Sequence, residues 1–567
     1  MAKNFVENQN TYNLYVKKPL LRALLIVIIP GLIMAFMIAV YAFTDQIMLS
    51  TFIPKDIANR HIHLFDNWDE VEKACTANHW VYYDVGSVVK GALSISSPFS
   101  TIFTTVPFFI AGGAGVMFTQ AIGRGDRQRA YEIFKTGLFV VIVLALISTL
   151  IILLIAKPLL TVLAGPAAKL DVAVQNDTTR MVQNYYNQVH NTEIEFAYQY
   201  VRVLGSAMIM PMLIFYFSAL IKSEGRFKTV ALFSVFCNLC NILADYVMVM
   251  FAHEGMTGGG LASVECYAIN IVMLAVYLSY LNAKNKTWLK FNALVPFSKK
   301  VQVRGFFIKP IVLIGLAALM IDLSYSISMM FFIPILAHFS THYHPAGAEG
   351  ATYFQTISGA VMPIINLAFM TVYGIVEGER IVVSYNYAIG NWKRVRQTYK
   401  YTIFISLAFA LLCMLFLGVI FGQDIIKNLF HVEPSMLKNA HIYLMIVMVM
   451  IPIYSFQVAS MSMFLATNEV VLSNIAAILQ NFITYFPVLG IMIGVTCWQH
   501  NIWYLVATIP INALVSTVIL TFYSLWWLRN RFEKIKIKAN VNGRKMIIQA
   551  AYTKPKMSIA QMALTHV

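Results

Sequence analysis

A chain of 567 residues in which 59% are hydrophobic and 12% are charged, with a mean hydropathy of +0.68, is not a soluble globular protein, where about 25% charged residues are usual. It is an integral membrane protein. The formal charge of +16, from 42 Lys+Arg against 26 Asp+Glu, sits mostly in short clusters between apolar runs, so membrane topology explains it better than a nucleic-acid partner, and no such partner is expected.

A membrane span needs about 20 apolar residues. That rule predicts about twelve helices, at 21–46, 92–121, 133–163, 197–221, 229–252, 259–283, 307–338, 351–388, 399–422, 441–466, 470–496 and 502–528. The first follows Lys17 and Lys18 and is too long for a signal-peptide core; with no small-residue cleavage site, it reads as a span. Basic residues cluster on alternate loops: Lys17, Lys18 and Arg22; Arg124, Arg127, Arg129 and Lys135; Lys222, Arg226 and Lys228; Lys284 to Arg304; Lys393, Arg394, Arg396 and Lys400. With Arg529, Arg531, Lys534, Lys536 and Lys538 in the tail, the positive-inside bias puts both termini in the cytoplasm. The expected location is the plasma (cytoplasmic) membrane. The opposite face has a longer acidic-to-neutral loop at 51–90 and another at 164–196.

An internal repeat organises these spans. The second ends in "AIGRGDRQR" (121–129) and the eighth in "AIGNWKRVR" (388–396), at the same step of two six-span halves. The expected architecture is all-α, with two pseudo-symmetric six-helix bundles: a cytoplasmic segment 1–20, an N-terminal bundle 21–290, a C-terminal bundle 291–530 and a basic tail 531–567. The repeat's Gly is expected to break the span, and its arginines to anchor the end at the headgroups.

In three places the chain resembles the multidrug and toxic compound extrusion (MATE) family of cation-coupled efflux transporters, whose two bundles face each other as a V. "GGAGVMFTQAIGRGDRQRA" (112–130) is similar to the family's glycine-rich second span and loop. "LIKSEGRFKTVALF" (220–233) resembles its Arg-x-x-Gly turn, with Lys222 in place of Arg. "VVSYNYAIGNWKRVR" (382–396) resembles the end of its eighth span, with Ala388 where Gly is usual. The likeness extends from about residue 20 to about 530.

Within "NILADYVMVM" (241–250), Asn241 and Asp245 lie one helical turn apart and share a face. A charge there costs roughly 3 kcal/mol to insert. The resemblance implies that this Asn-x-x-x-Asp pattern is part of a cation site in the N-terminal bundle. It also implies that Tyr41 and Asp45 of the first span join the site, that Pro30 kinks that span as a hinge, and that Ser263 stands where the sixth span usually has Thr. Two carboxylates, an amide and a hydroxyl are hard oxygen ligands suited to a proton or sodium as coupling ion; no other cofactor or metal is expected. In the fourth span, where the family often has Asn, only Tyr216 and Ser218 are on offer. One charge moving across 100 mV with a tenfold ion gradient supplies about 2.3 plus about 1.4 kcal/mol, enough for roughly a several-hundred-fold substrate gradient.

Other polar residues in the spans have two readings each. Asp322 lies in the seventh span, about one turn from where another branch of the family holds sodium. Glu377, Glu379 and Arg380 lie mid-membrane in the eighth, as an i, i+3 pair of Glu377 with Arg380 or as an acidic wall for cationic drugs. Glu265, two residues past Ser263, suits either purpose. His61, His63 and His79, and His338, His342 and His344, fall in polar loops where solvation is the ordinary outcome and zinc the exception. The C-x-x-C of Cys237 and Cys240 reads as small apolar helix residues.

The expected function is therefore an antiporter exporting amphipathic, cationic drugs or toxic compounds, acting as a monomer in the lipid bilayer on small-molecule substrates. One alternative is a lipid-linked sugar or peptidoglycan-precursor flippase, which needs a cationic cavity for pyrophosphate; the intramembrane charges here are mainly acidic. Another is an intramembrane transferase, against which stands the lack of any H-E-x-x-H, nucleophile-elbow or phosphate-loop pattern.

Overall fold

The computed structural model describes residues 11–62, 64–78, 80, 82–164, 176–289, 303–342, 352–428, 432 and 434–542. A backbone in hydrocarbon must satisfy its own hydrogen bonds, and the described residues do so in twelve long helical runs and several short helices, with no strand among them. The long runs are α1 (Leu20–Asn59), α2 (Val85–Arg124), α3 (Arg127–Ala164), α4 in two pieces (Asp177–Ser206 and Ile209–Ser223), α5 (Phe227–Met250), α6 (Gly255–Ala283), α7 (Gly305–His342) and α8 (Thr352–Ala388). After them come α9 (Trp392–Cys413, continued by a π-helical stretch Met414–Ile420), α10 in two pieces (Pro434–Met448 and Met450–Ala466), α11 (Val470–Gln499) and α12 (Thr508–Asn542). Ten are long and apolar enough to cross a membrane, and the pieces of α4, bent by 50°, make an eleventh. α7, 38 residues long and apolar over Gly305–Met320, is the helix at the expected seventh position.

Several helices overrun their apolar windows. The expected loop 51–90 is partly helical, because α1 runs on to Asn59, a short helix spans Trp68–Ala77 and α2 begins at Val85. The first piece of α4 starts with a capping box, Asn176 and Thr179 each donating a backbone N–H to the other's side-chain oxygen at 2.8 Å. Along α3, Leu146, Leu150 and Leu154 are each 60% exposed or more. That i, i+4 stripe is the surface the helix offers to acyl chains.

α1 packs on α5 within its own half and on α8 of the other, while α7 packs on α2. Both of these inter-bundle crossings are glycine contacts. At the first, a Cβ on Gly31 would stand 2.7 Å from the Gly374 carbonyl oxygen; at the second, a Cβ on Gly113 would stand 2.0 Å from that of Ile311, and one on Gly315 1.9 Å from that of Phe109. Without side chains the backbones touch, which is how helices associate where lipid offers no hydrophobic drive.

The two repeat copies meet each other, and here one expectation changes. α2 continues through Gly123 to Arg124, and Gly125, at φ 72°, ends it; α8 ends at Ala388, with Gly390 at φ 74°. Gly123 instead admits the neighbouring bundle, for a Cβ there would lie 3.0 Å from that of Ala388 and 3.1 Å from the Tyr385 carbonyl oxygen. The seam is reinforced by Gln120, which donates to the Ala466 carbonyl at 3.0 Å and accepts from Asn468 at 2.8 Å. The segment before α1 covers the same end. Tyr15 is wholly buried, its ring 5.2 Å from that of Tyr385, and its carbonyl accepts from Asn386 at 3.1 Å.

Candidate functional site

Four helices of the first half converge on the residues singled out in α1 and α5. The run Gly258 to Gly260 at the start of α6 allows this: a Cβ on Gly259 would stand 2.5 Å from a Leu49 methyl of α1, and one on Gly260 2.9 Å from Val203 of α4. Ser263, one turn on, thereby reaches Tyr41, and the two hydroxyls lie 2.7 Å apart. One turn beyond Tyr41, Asp45 accepts a hydrogen bond at Oδ2 from the Tyr200 hydroxyl of α4, at 2.8 Å. Asp245 of α5 lies close enough to Asp45 for each carboxyl to act on the other, and Tyr267 of α6 adjoins Tyr41.

The setting is dry. Asp45 is 4% exposed, and Asn241, Asp245 and Ser263 are 0% exposed. Among the described residues, Oδ1 of Asp45, both oxygens of Asp245 and both polar atoms of Asn241 have no hydrogen-bond partner. Two carboxylate oxygens are both acceptors and cannot satisfy one another; the contact is completed only by a proton or a cation between them. Every donor atom is a hard oxygen, which fits H+ or Na+ and not a soft metal. Among the described residues no group of three or more His, Cys, Asp or Glu is placed to hold a metal ion.

The fourth-span contribution comes from a residue that sequence reasoning passed over. Tyr216 instead donates to the Phe134 carbonyl at 2.5 Å, bracing α4 on α3, and Ser218 is buried nearby. Tyr200 and Tyr267 carried no spacing signal of their own; they become visible only once α4 and α6 are packed on α1. Pro30 lies inside a continuous α1, where its missing N–H deprives the Ile26 carbonyl of its usual intrahelical donor.

The charges of α8 are arranged differently from either expected reading. Glu377 does not close on Arg380 as an i, i+3 pair; it is bonded to Lys222, at the end of α4 in the other bundle. Arg380 lines the same cleft, between α2, α4 and α8. Glu379, about 100° around the helix, is wholly buried in the second bundle, and neither oxygen has a partner. Glu265 is exposed on the outer flank of α6, away from Ser263. The side chain of Asp322, like His63, His79, His344 and the side chain of His342, falls outside the described residues, whereas His61 and His338 are exposed. Cys237 and Cys240 are free thiols.

The family model described as MatE matches residues 77–247 and 356–496, one stretch in each bundle and more than half of the chain together. The chain belongs to the MatE family. Members of this family are transporters rather than enzymes, and this chain is a multi-pass membrane protein of the same kind. The MG447 homolog of Mycoplasma pneumoniae is 28% identical to it over 504 residues, 87% of this chain and 89% of that one. Among solved structures, the outward-facing conformation of a multidrug resistance MATE family transporter of the MOP superfamily matches at TM-score 0.71 and 16% identity, covering 91% of this chain and 97% of that one. A MOP superfamily transporter from Pyrococcus furiosus, described as having a binding pocket of reverse polarity, matches at TM-score 0.71 and 18% identity over 91% and 97% of the two chains. At these identities the likeness concerns the fold.

Proposed function

We propose that this MATE transporter is a cation-coupled antiporter, with H+ or Na+ captured between Asp45 and Asp245 and exchanged for an exported amphipathic small molecule. The supporting observation is the meeting of two carboxyls from α1 and α5 in a fully buried position, with three of their four oxygens lacking any hydrogen-bond partner among the described residues. Asn241 adds an unpartnered amide oxygen, while Tyr200 and the Tyr41–Ser263 pair fix the ring of ligands.

Coupling runs along α1. Pro30 lies on the order of 20 Å from Asp45 at 1.5 Å per residue, beside Gly31, where α1 crosses α8 backbone to backbone. Ion capture at Asp45 that bends α1 at Pro30 shifts that crossing and with it the wall of the cleft between the bundles. The basic loops and tail orient both termini to the cytoplasm of the cytoplasmic membrane, so that the ion enters from outside and substrate leaves. Export of cationic drugs, the class expected from the sequence, would place a positive ligand against Lys222 and Arg380.

The test is transport in proteoliposomes with independently imposed proton and sodium gradients across a panel of charged dyes. Asp45→Asn and Asp245→Asn should each abolish gradient-driven movement while leaving insertion and yield intact. Undiminished transport by either variant would end this reading.

A further inference from the structure

We infer that the cleft between the bundles recognises amphipathic anions, molecules with one phosphate- or carboxylate-type head on an apolar body. This rests on the transporter reading above and gives it a substrate class. The cleft lies between α2, α4 and α8. Two cations line it, Lys222 from α4 and Arg380 from α8, against one carboxylate, Glu377. Lys222, 4% exposed, is bonded to Glu377. Among the described residues Arg380 makes no ion pair, and its buried Nε has no partner. Ser384, one turn further along α8, lines the same cleft, is wholly buried and has an unpartnered hydroxyl. Glu377 and, to a lesser degree, Glu379 lie close enough to act on Arg380 electrostatically, but Glu379 does not line the cleft.

The cleft wall therefore carries one more positive than negative charge, at a depth where an uncompensated ion is costly. A ligand bringing a single negative charge balances it. The planar guanidinium suits a phosphate or carboxylate, which accepts two parallel N–H bonds, and the Ser384 hydroxyl supplies a third contact. Phe108 and Phe215, with ring centroids 4.5 Å apart, line the cleft as well and suit an apolar body. The Lys222–Glu377 bond joins the two bundles. An anion that displaces Glu377 from Lys222 breaks that link as it binds, so that substrate entry and bundle separation become one event. A cationic ligand would find like charge instead.

The test uses the full chain in phosphatidylcholine proteoliposomes with imposed ion gradients and four fluorescent probes: carboxyfluorescein, NBD-labelled phosphatidylglycerol, NBD-labelled phosphatidylcholine and ethidium. Movement of an anionic probe is expected, carboxyfluorescein indicating a free organic anion and phosphatidylglycerol a lipid headgroup. Arg380→Gln should lower it roughly tenfold or more and Arg380→Lys by less, as expected for a bidentate charge contact. Anion movement unchanged in Arg380→Gln would overturn the inference. Ethidium movement without anion movement would overturn it too, yet leave the antiporter reading standing if Asp45→Asn abolishes it. Anion movement that ignores both gradients and Asp45→Asn would instead sink the antiporter reading and leave the anion site standing. If no probe moves, anisotropy of the same probes with nanodisc-embedded protein decides: roughly tenfold tighter anion binding that Arg380→Gln removes supports the site, and equal or cation-favouring binding overturns it.

Discussion

Each bundle buries a carboxyl with no hydrogen-bond partner for at least one oxygen, yet the two settings differ in kind. In the first, Asp45 and Asp245 arrive from different helices and face each other, with Tyr200 donating to one of them. In the second, Glu379 stands alone. The helix packed beside it, α9, carries Thr398, Thr402 and Ser406 at one-turn intervals, all buried and with unpartnered hydroxyls, and Tyr399 is bonded to Ser460 at 2.7 Å rather than to the acid. The contrast separates polarity from function. Ion capture that drives a transport cycle needs ligands from more than one element, and Asp45 and Asp245 come from two. Glu379 has a neighbouring helix that carries hydroxyls, and the charge that acts on it, Arg380, sits on its own helix and moves with it.

The sharpest way to break this comparison is to neutralise one acid on each side. Asp245→Asn should lower gradient-driven transport roughly a hundredfold, the scale of losing a buried charge interaction of about 3 kcal/mol. Glu379→Gln should leave transport within about threefold, the size of an effect below 1 kcal/mol. Equal losses in the two variants would make the second bundle an ion site as well. Measuring both with separate proton and sodium gradients also identifies the ion.

A second comparison sets one bundle crossing against the other. The α2–α7 contact is closer than the α1–α8 contact, 2.0 Å against 2.7 Å for an added Cβ. Gly113→Ala should therefore destabilise the protein by about 3 kcal/mol, at the upper end of overpacking costs, and Gly31→Ala by about 1 kcal/mol. Thermal unfolding in detergent reads both. Gly31→Ala should in addition slow transport, because it stiffens the crossing that the Pro30 hinge must shift. A Gly31→Ala protein with full transport would remove α1 from the coupling route.

Much of this was legible in the amino-acid order, and what was not has a physical reason. The long helices follow from runs of apolar residues, and the Asn241–Asp245 face from helical spacing alone. The repeat "AIG" pointed to two matching halves, although in the first copy Gly123 serves as a contact point and the turn is left to Gly125. What escaped were contacts made between helices. Tyr200 has no motif around it, and Lys222 read as one member of a basic loop cluster until α8 was set beside α4. The i, i+3 rule paired Glu377 with Arg380 because it sees one helix at a time; across the bundle interface, Lys222 wins.

The smallest expected effect tests the tyrosines of the two bundles. Tyr200→Phe removes the hydroxyl that donates to Asp45, a charge-assisted bond of about 1.5 to 3 kcal/mol, and should weaken coupling-ion affinity by roughly tenfold without abolishing transport at saturating gradient. Tyr399→Phe removes a neutral bond to Ser460 of about 1 kcal/mol and should lower thermal stability slightly while the ion dependence stays where it was. Transport rate against ion concentration separates them, since the first variant shifts the midpoint and the second does not. A midpoint shift in Tyr399→Phe would mean that the second bundle senses the ion too, and the asymmetry drawn between the two acids would have to be given up.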